Sequence, residues 1–292
     1  MATTNVNAPK GAPKAKAESG FKGIKQGIYV IIICAVIAHI IFYFGAGSAS
    51  NFQGGAEGLG VQFAFQLESG MHPHPDNLIG TVYLGGFIVP IIWSLLLTVL
   101  SFCIERFFAI RSAYGQGTLA KFVADIKAAL TANDLAKAQA ICDKQKGSVA
   151  NVVGATLKTY KQVEDDNSLT KEQKVLAIQK SLEEATALEM PMMQENLPII
   201  GSIVTLGTLT GLLGTVMGMI KSFQAMSSGD GGADSTQLAT GISEALVNTA
   251  SGIATSLFAV VGYNYYTNKI DRLTFSLDEV GFSIVSTFNA TH

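Results

Sequence analysis

The chain has 292 residues, of which 48% are hydrophobic and 14% are charged, whereas a typical soluble domain carries about 25% charged residues. Its 20 Lys+Arg and 22 Asp+Glu leave a formal net charge of −2, so no strong overall field favours nucleic acid or an acidic substrate. Walker, HExxH, paired CxxC and GxSxG motifs do not occur in the sequence. We therefore predict an all-α integral membrane protein with a soluble part, and we expect no enzymatic activity, no cofactor and no metal centre.

The N-terminal part predicts a tail, a membrane helix and an outer loop. Residues 1–27 combine Ala, Pro and Gly with five lysines, a composition typical of a disordered basic tail. Residues 28–46 contain an apolar run near the lower length limit for a membrane span. A cleaved signal peptide is the alternative, but its apolar core would be shorter. Residues 47–81 are Gly-rich and contain no Lys or Arg, so they are predicted to form the loop.

A second span and a soluble helical domain follow. Residues 82–104 are apolar and end at Glu105 and Arg106, a pair that we interpret as interfacial. Residues 105–197 carry 12 basic and 12 acidic residues, which predicts a soluble segment. Its apolar residues recur at helical spacing, as in Leu119, Phe122, Val123, Ile126 and Leu130.

The soluble domain is predicted to end in a long amphipathic helix over residues 168–197. Ser168 or Thr170 is the candidate N-cap, because a side-chain oxygen at that position accepts a bond from the first free backbone amides. Pro191 is a candidate bend, since proline removes one hydrogen bond of the helix.

The C-terminal part predicts two further spans. Residues 198–222 and 238–263 are apolar, and residues 223–237 join them by a loop of Gly, Ser and Asp. Residues 264–292 read as a polar-flanked helix that continues to the C-terminus. Neither strand alternation nor an internal repeat is visible, which favours the all-α class.

The distribution of Lys and Arg orients the four predicted spans. Basic residues concentrate in the tail, in the soluble domain and at Lys269 and Arg272, whereas the first outer loop has none and the second is preceded by Lys221 alone. Four spans place all of these segments consistently, whereas three would put the basic tail outside. We predict a multi-pass protein with both termini in the cytoplasm.

The third and fourth spans carry stripes of small residues. In the third span the glycines follow a heptad pattern: Gly207, Gly211, Gly214 and Gly218. The fourth span repeats the design with Gly241, Ala245, Asn248, Gly252, Thr255 and Ala259. Small residues at this spacing let helix backbones approach closely. We expect these stripes to bring copies of the chain together as a ring with a narrow axial pore.

Polar side chains run beside these stripes. The candidates for a pore lining or proton pathway are Thr208, Thr215, Glu244, Asn248, Thr249 and Thr255. In hydrocarbon each unsatisfied polar group costs several kcal/mol, so these groups must face protein or water. For the threonines, helix–helix hydrogen bonding is the alternative to a pore lining. For Glu244 the alternatives are a proton pathway and a snorkelling residue near the outer interface.

Other candidate residues give weaker signals. His39 lies midway along the first span, without an acidic partner in that helix. His72 and His74 are two imidazoles separated by proline, and we interpret them as part of a plain loop. The three cysteines, Cys34, Cys103 and Cys142, are interpreted as small buried apolar residues rather than as a disulfide framework.

Three segments resemble the MotA/TolQ/ExbB proton-channel family, most of all its ExbB branch. They are IERFFAI (104–110), GLLGTVMGMIKSF (211–223) and GISEALVNTASGIATSLFAVVGYN (241–264). The resemblance covers about 82–270, with the segments in the family's order. The family core has three spans, so 28–46 looks like an N-terminal addition. The ExbB pattern also has a proline near the middle of its last span, whereas 254–261 reads ATSLFAVV.

The resemblance implies a homopentamer of long helices around the membrane helices of an ExbD-like partner dimer. In that family the partner supplies a membrane aspartate that takes up and releases protons. Thr215, Thr249 and Glu244 match family positions in the GTV and EAL-x-x-T motifs. The chain would then be the stator of an inner-membrane motor that acts on a TonB-like protein to energise outer-membrane import.

Other functions stay open at this point. A TolQ-like stator or a gliding or secretion motor would use the same residues. In a non-conducting membrane scaffold, the Gly and Thr stripes would serve packing alone. A small-molecule transporter is disfavoured because paired inverted repeats and broken helices are not evident.

Overall fold

The structure is a computed structural model, and it describes residues 24, 26–52, 75–227 and 235–291. We number the α-helices in chain order. They are α1 (Gly27–Ile40), α2 (Leu78–Tyr83), α3 (Ile88–Tyr114), α4 (Leu119–Thr131), α5 (Leu135–Gln145), α6 (Gly147–Glu164), α7 (Lys171–Gln194), α8 (Leu197–Ser227) and α9 (Ser235–Thr291). One π-helical segment, Ile41–Ala46, prolongs α1, and a short 3-10 helix follows at Ala49–Asn51.

The predicted all-α class is confirmed for the described residues. Apart from one isolated bridge between Phe52 and Pro75, they contain no β-pairing. Four helical stretches among them are long and apolar enough to cross a membrane: Gly27–Ala46, Ile88–Thr131, Lys171–Gln224 and Leu238–Thr291. A span needs about 20 residues, because each adds about 1.5 Å to a helix and the hydrocarbon core is about 30 Å thick. The chain is therefore a multi-pass membrane protein by helix length and composition.

The start of the second span differs from that predicted. The apolar run at 82–104 is interrupted, because α2 ends at Tyr83 and α3 begins at Ile88. Gly86 lies in this turn with φ +74, a conformation that glycine adopts without a Cβ penalty. The predicted fourth span and C-terminal helix form one continuous helix, α9, which runs through Gly262 without a break.

The ends of α7 are set by short-range hydrogen bonds. Thr170 Oγ1 accepts from Gln173 N at 3.3 Å, and Gln173 Oε1 accepts from Thr170 N at 3.0 Å. This reciprocal capping box makes Thr170 the N-cap, as one of the two alternatives predicted. At the other end the helix continues past Pro191 to Gln194, and the chain turns at Asn196, with φ 64. The interruption thus lies five residues after the proline, at a residue type that tolerates the left-handed conformation.

The described chain divides into two compact units. The first consists of Arg111–Met190 and the described part of Leu273–His292. Its helices bury four residues of the stripe predicted for α4, Phe122, Val123, Ile126 and Leu130, whereas Leu119 is half-buried. The helix α9 contributes a row with near-heptad spacing: Leu273, Leu277, Val280, Ile284 and Phe288. Tyr160 of α6 packs edge-on against Phe288, with ring centroids 4.9 Å apart. An ion pair at 2.5 Å joins Lys127 of α4 to Glu279 of α9.

The second unit consists of the described residues of Gly23–Ile110 and Pro191–Arg272. One core cluster brings together α3, α8 and α9 through Val99, Phe102, Ile200, Ile203 and Ala259, and Val30 and Ile31 of α1 pack against it. A second cluster is aromatic. In it Phe42 stacks on Tyr83 with centroids 4.9 Å apart and lies edge-on to Trp93. The added helix α1 is therefore part of the hydrophobic core of this unit.

All three cysteines are free; Cys34 and Cys142 are buried and Cys103 is half-buried. Burial, with a smaller contribution from the neighbouring Asp143, raises the pKa of the Cys142 thiol to about 12. A higher pKa means less thiolate, the reactive form, at every pH below that value.

At pH 8 we expect iodoacetamide to alkylate Cys142 of the folded protein at least about tenfold more slowly than Cys142 of the unfolded chain. Peptide mapping by mass spectrometry measures both rates, and equal rates would contradict the buried environment.

Candidate functional site in the α8–α9 hairpin

The glycine stripes pack α8 against α9 within one chain. A methyl group placed on Gly252 would lie 2.5 Å from the carbonyl oxygen of Gly207 and 2.8 Å from the Cα of Gly211. One on Gly218 would lie 2.9 Å from the carbonyl oxygen of Gly241. Real Cβ contacts are not this short, so the two backbones approach as closely as only glycine permits. Within one chain the stripes therefore serve the contact between α8 and α9.

Asn248 lies at the centre of this contact. A methyl group on Gly214 would overlap its Cβ, so the absence of a side chain on α8 makes the room for the amide. Asn248 is fully buried, and neither its Oδ1 nor its Nδ2 has a hydrogen-bond partner among the described residues. A buried polar group without a hydrogen bond destabilises the fold by about 1–3 kcal/mol. An apolar side chain could pack at this position without that penalty.

The hydroxyl groups of Thr215 and Thr249 meet across the same interface. Their Oγ1 atoms are in hydrogen-bond contact, and each also lies 3.3 Å from the carbonyl oxygen of Ala245. Both residues are half-buried. A hydroxyl has one proton to donate and two lone pairs, so either threonine can donate to the other. The pair therefore has two equivalent bonding patterns and free acceptor capacity.

The remaining predicted hydroxyls divide into two groups. Thr208 is exposed, and its Oγ1 lies 2.8 Å from Ser256 Oγ of α9. Thr255 is buried and donates to the carbonyl of Ser251 in its own helix at 2.9 Å. The structure thus brings together Thr215 with Thr249 and, further along, Thr208 with a serine that the site prediction did not include.

Glu244 has a partner that the sequence reasoning missed. Its Oε1 accepts from Lys221 Nζ of α8 at 2.7 Å, and the carboxylate side chain is 12% exposed. A signal was available, because these are the only acidic and the only basic residue of the spans 198–222 and 238–263. The pairing favours neither of the two interpretations of Glu244 as a lone carboxylate.

The Glu105–Arg106 pair is buried. Arg106 is fully buried and donates from Nε to Glu105 Oε2 at 2.6 Å and from Nη2 to the other carboxylate oxygen. Its Nη1 donates to the carbonyls of Met192 and Met193 at 3.1 and 3.2 Å. These carbonyls belong to the last turn of α7, where intrahelical donors run out and the helix dipole is negative. The guanidinium therefore caps α7.

The same carboxylate holds the segment before α1. Glu105 Oε1 accepts from Ile24 N at 3.1 Å, and Asn196 Nδ2 donates to Ile24 O at 3.2 Å. The turn between α7 and α8, Glu105 and Arg106 of α3, and the entry to α1 thus meet at one buried cluster. Sequence reasoning identified the pair but not these partners, because they come from distant parts of the chain.

The histidines carry no site in the described structure. His39 bonds through Nδ1 to the carbonyl oxygen of Ala35 in its own helix at 2.8 Å. His72 and His74 lie outside the described residues.

Comparisons with known proteins identify the segment that carries this site. Residues 148–279 match the MotA/TolQ/ExbB proton channel family. The chain is 42% identical over 94 residues to the biopolymer transport protein ExbB-like 3 of Synechocystis, which is 30% of this chain and 45% of that protein. It is 34% identical over 95 residues to the biopolymer transport protein ExbB of Helicobacter pylori, covering 32% of this chain and 64% of that protein.

A third relative belongs to the TolQ branch. The chain is 31% identical over 85 residues to the Tol-Pal system protein TolQ of Haemophilus influenzae, covering 29% of this chain and 37% of that protein. In each case the match spans less than two thirds of the relative's length. The resemblance to the MotA/TolQ/ExbB family, close to ExbB, is confirmed.

Gly252 provides a test of the close helix contact. Gly252→Ala should lower the free energy of unfolding by about 1–3 kcal/mol, because the added methyl group overpacks the α8 backbone. Gly45→Ala is the matched control, since a methyl group there would meet only Ile41 Cγ2, at 3.8 Å. Unfolding of the purified protein in detergent, followed by far-UV circular dichroism, measures both. Equal stability of the two variants would contradict the contact.

Arg106 provides a test of the buried cluster. Arg106→Met keeps much of the volume but leaves Glu105 without a counter-charge, so the free energy of unfolding should fall by about 3–5 kcal/mol. Arg111→Met on the same helix changes an exposed arginine and should stay within about 0.5 kcal/mol of the parent. The same unfolding assay applies. If Arg106→Met lowers the free energy of unfolding no more than Arg111→Met does, the cluster does not stabilise the fold.

Proposed function

We propose that this chain, whose residues 148–279 match the MotA/TolQ/ExbB proton channel family, is the stator subunit of a proton-driven motor in the cell inner membrane. The motor would use the proton motive force to energise outer-membrane import through a TonB-like protein. The observation that carries the proposal is the Thr215–Thr249 hydroxyl pair, held at a close helix contact inside the family-matched segment. Support for the import role comes from the relatives named as biopolymer transport proteins.

The exposed faces of α8 and α9 support an assembly of several copies. Large apolar residues on both helices are more than half exposed in the single chain: Leu209, Leu212, Leu213, Ile253, Leu257, Phe258 and Val261. Contiguous apolar surface of this kind requires lipid or protein to cover it. We propose a homopentamer that surrounds the membrane helices of an ExbD-like partner dimer, with lipid on the outer side.

The mechanism follows from the chemistry of the hydroxyl pair. A proton that crosses the membrane needs a polar route, because an ionised carboxylate in a dry apolar cavity is strongly disfavoured. Thr215 and Thr249 exchange donor and acceptor roles, so they would hydrogen-bond the partner's carboxyl in either protonation state, or a water beside it. Thr208 with Ser256 would extend this polar lining, and the buried Asn248 and Thr255 would support it from inside the hairpin.

The orientation in the membrane is proposed from the charges. The basic tail, the charged segment 105–197 and the C-terminal part would lie in the cytoplasm, and the loops 47–81 and 223–237 would lie in the periplasm. The first compact unit would then form the cytoplasmic helical domain.

A second candidate has its own support. The similarity to a Tol-Pal system protein TolQ favours a TolQ-like stator that uses the same residues on a different partner. Genome neighbours distinguish the two candidates, since a TonB-like gene beside an ExbD-like gene supports the import role. A non-conducting scaffold would need the hydroxyls only for helix packing.

The Thr215→Val/Thr249→Val double variant tests the proton path. Valine keeps the shape and removes both hydroxyls, so energised uptake should fall at least about tenfold while the oligomer still assembles. Growth on a TonB-dependent nutrient is the readout, with expression checked by immunoblot and assembly by native mass spectrometry. Thr210→Val is the control, because that hydroxyl bonds only its own helix, at Leu206 O. Full growth of the double variant would leave the scaffold as the function.

A further inference from the structure

Glu244 is held in place by a lysine of the neighbouring helix. Lys221 Nζ lies 2.7 Å from Glu244 Oε1, within direct ion-pair distance. The lysine side chain is 48% exposed and the carboxylate 12%. This asymmetry is typical of a lysine whose stem lies along apolar surface while its ammonium reaches the edge. The carboxylate of Glu244 thus has a counter-charge within the chain.

A third element closes over the pair. Gly86, in the turn between α2 and α3, has φ +74, and a methyl group there would lie 2.5 Å from Glu244 Oε1 and 3.8 Å from Lys221 Nζ. Any side chain at this position would push the carboxylate away from the lysine. The backbone turn therefore approaches the ion pair as closely as glycine permits, and it limits how Glu244 can move.

We infer that Lys221 is a positioning residue: its ion pair with Glu244 ties α8 to α9, so that Glu244 orders the hairpin rather than carrying the proton. This inference rests on the proposed function. The hydroxyl pair lies on the residues that follow Gly214 and Asn248, and Ala245, next to Glu244, supplies the carbonyl that both hydroxyls contact. A shift of Glu244 would move that carbonyl. The ion pair thereby sets the register of the hydroxyl pair.

The electrostatic argument explains why both partners are needed. A nearly buried carboxylate without a counter-charge is strongly disfavoured, so removal of the half-exposed Lys221 leaves Glu244 uncompensated. Lys221→Met and Glu244→Gln should therefore each destabilise the α8–α9 hairpin. The double variant should lose less stability than the two single variants lose together. Exchange of the two charges, Lys221→Glu with Glu244→Lys, should restore much of the stability that is lost when only one of the two charges is reversed.

The first experiment measures the tie without reference to proton flow. The melting temperature of the purified protein in detergent is recorded for Lys221→Met, for Glu244→Gln and for the double variant. We expect the double variant to lower the melting temperature by clearly less than the sum of the two single variants. Lys180→Met and Glu184→Gln form the control cycle, because that pair is 3.8 Å apart and mostly exposed. Additive changes at Lys221 and Glu244, as in the control cycle, would overturn the inference.

The second experiment measures the role in the motor. Energised uptake should fall about tenfold in Lys221→Met, stay within about twofold of the parent in Lys221→Arg, and recover in the charge-exchange variant. Rescue by arginine and by exchange separates charge positioning from a simple packing defect. Unchanged uptake in Lys221→Met, in cells where the Thr215→Val/Thr249→Val variant is impaired, would overturn the positioning role. If that double variant grows fully, the proposed function fails instead, and the melting cycle alone decides whether the tie exists.

Discussion

The close approach of the α8 and α9 backbones is the constraint on which the candidate site depends. Glycine at Gly207, Gly211 and Gly252 removes the side chains that would otherwise separate the two helices. Only at this short separation do hydroxyls as short as those of Thr215 and Thr249 reach each other across the interface. In lipid there is no hydrophobic force between helices, so packing and hydrogen bonds between them carry the association. The glycine stripe and the hydroxyl pair therefore depend on each other. The glycines set the short distance between the helices, and the two threonine hydroxyls are in hydrogen-bond contact across it.

A second constraint fixes the N-terminal end of α8. Arg106 is buried because it meets two kinds of negative charge at once, the Glu105 carboxylate and the last carbonyls of α7. Neither would suffice alone, since a fully buried guanidinium needs both a counter-charge and partners for its remaining N–H groups. Asn196 contributes from the turn itself by binding Ile24 O. The start of α8 is thus fixed by charge at one end, while the Lys221–Glu244 pair fixes α8 to α9 at the other.

Sequence reasoning predicted the features that local patterns determine. The number of membrane-capable helices followed from apolar run length, and Thr170 was one of the two predicted caps for α7. The glycine stripes and the Thr positions were also read correctly as features of α8 and α9. The partners of these residues were not assigned, because a stripe defines a face but not the helix that covers it. Pairing of Lys221 with Glu244, and of Arg106 with the α7 carbonyls, depends on how distant segments meet, which periodicity alone does not determine.

The added helix α1 limits where other chains can bind. It lies outside the family-matched residues 148–279, yet Val30 and Ile31 pack on the cluster that joins α3, α8 and α9, and Cys34 Sγ contacts Ser101 Oγ of α3 at 3.4 Å. Because Ile24 is held through both its backbone N–H and its C=O, the helix enters at a fixed position. The surface that α1 covers is removed from any contact with copies or partners. In the proposed assembly, the faces of α8 and α9 that carry Leu213 and Leu257 remain exposed and available to neighbouring subunits.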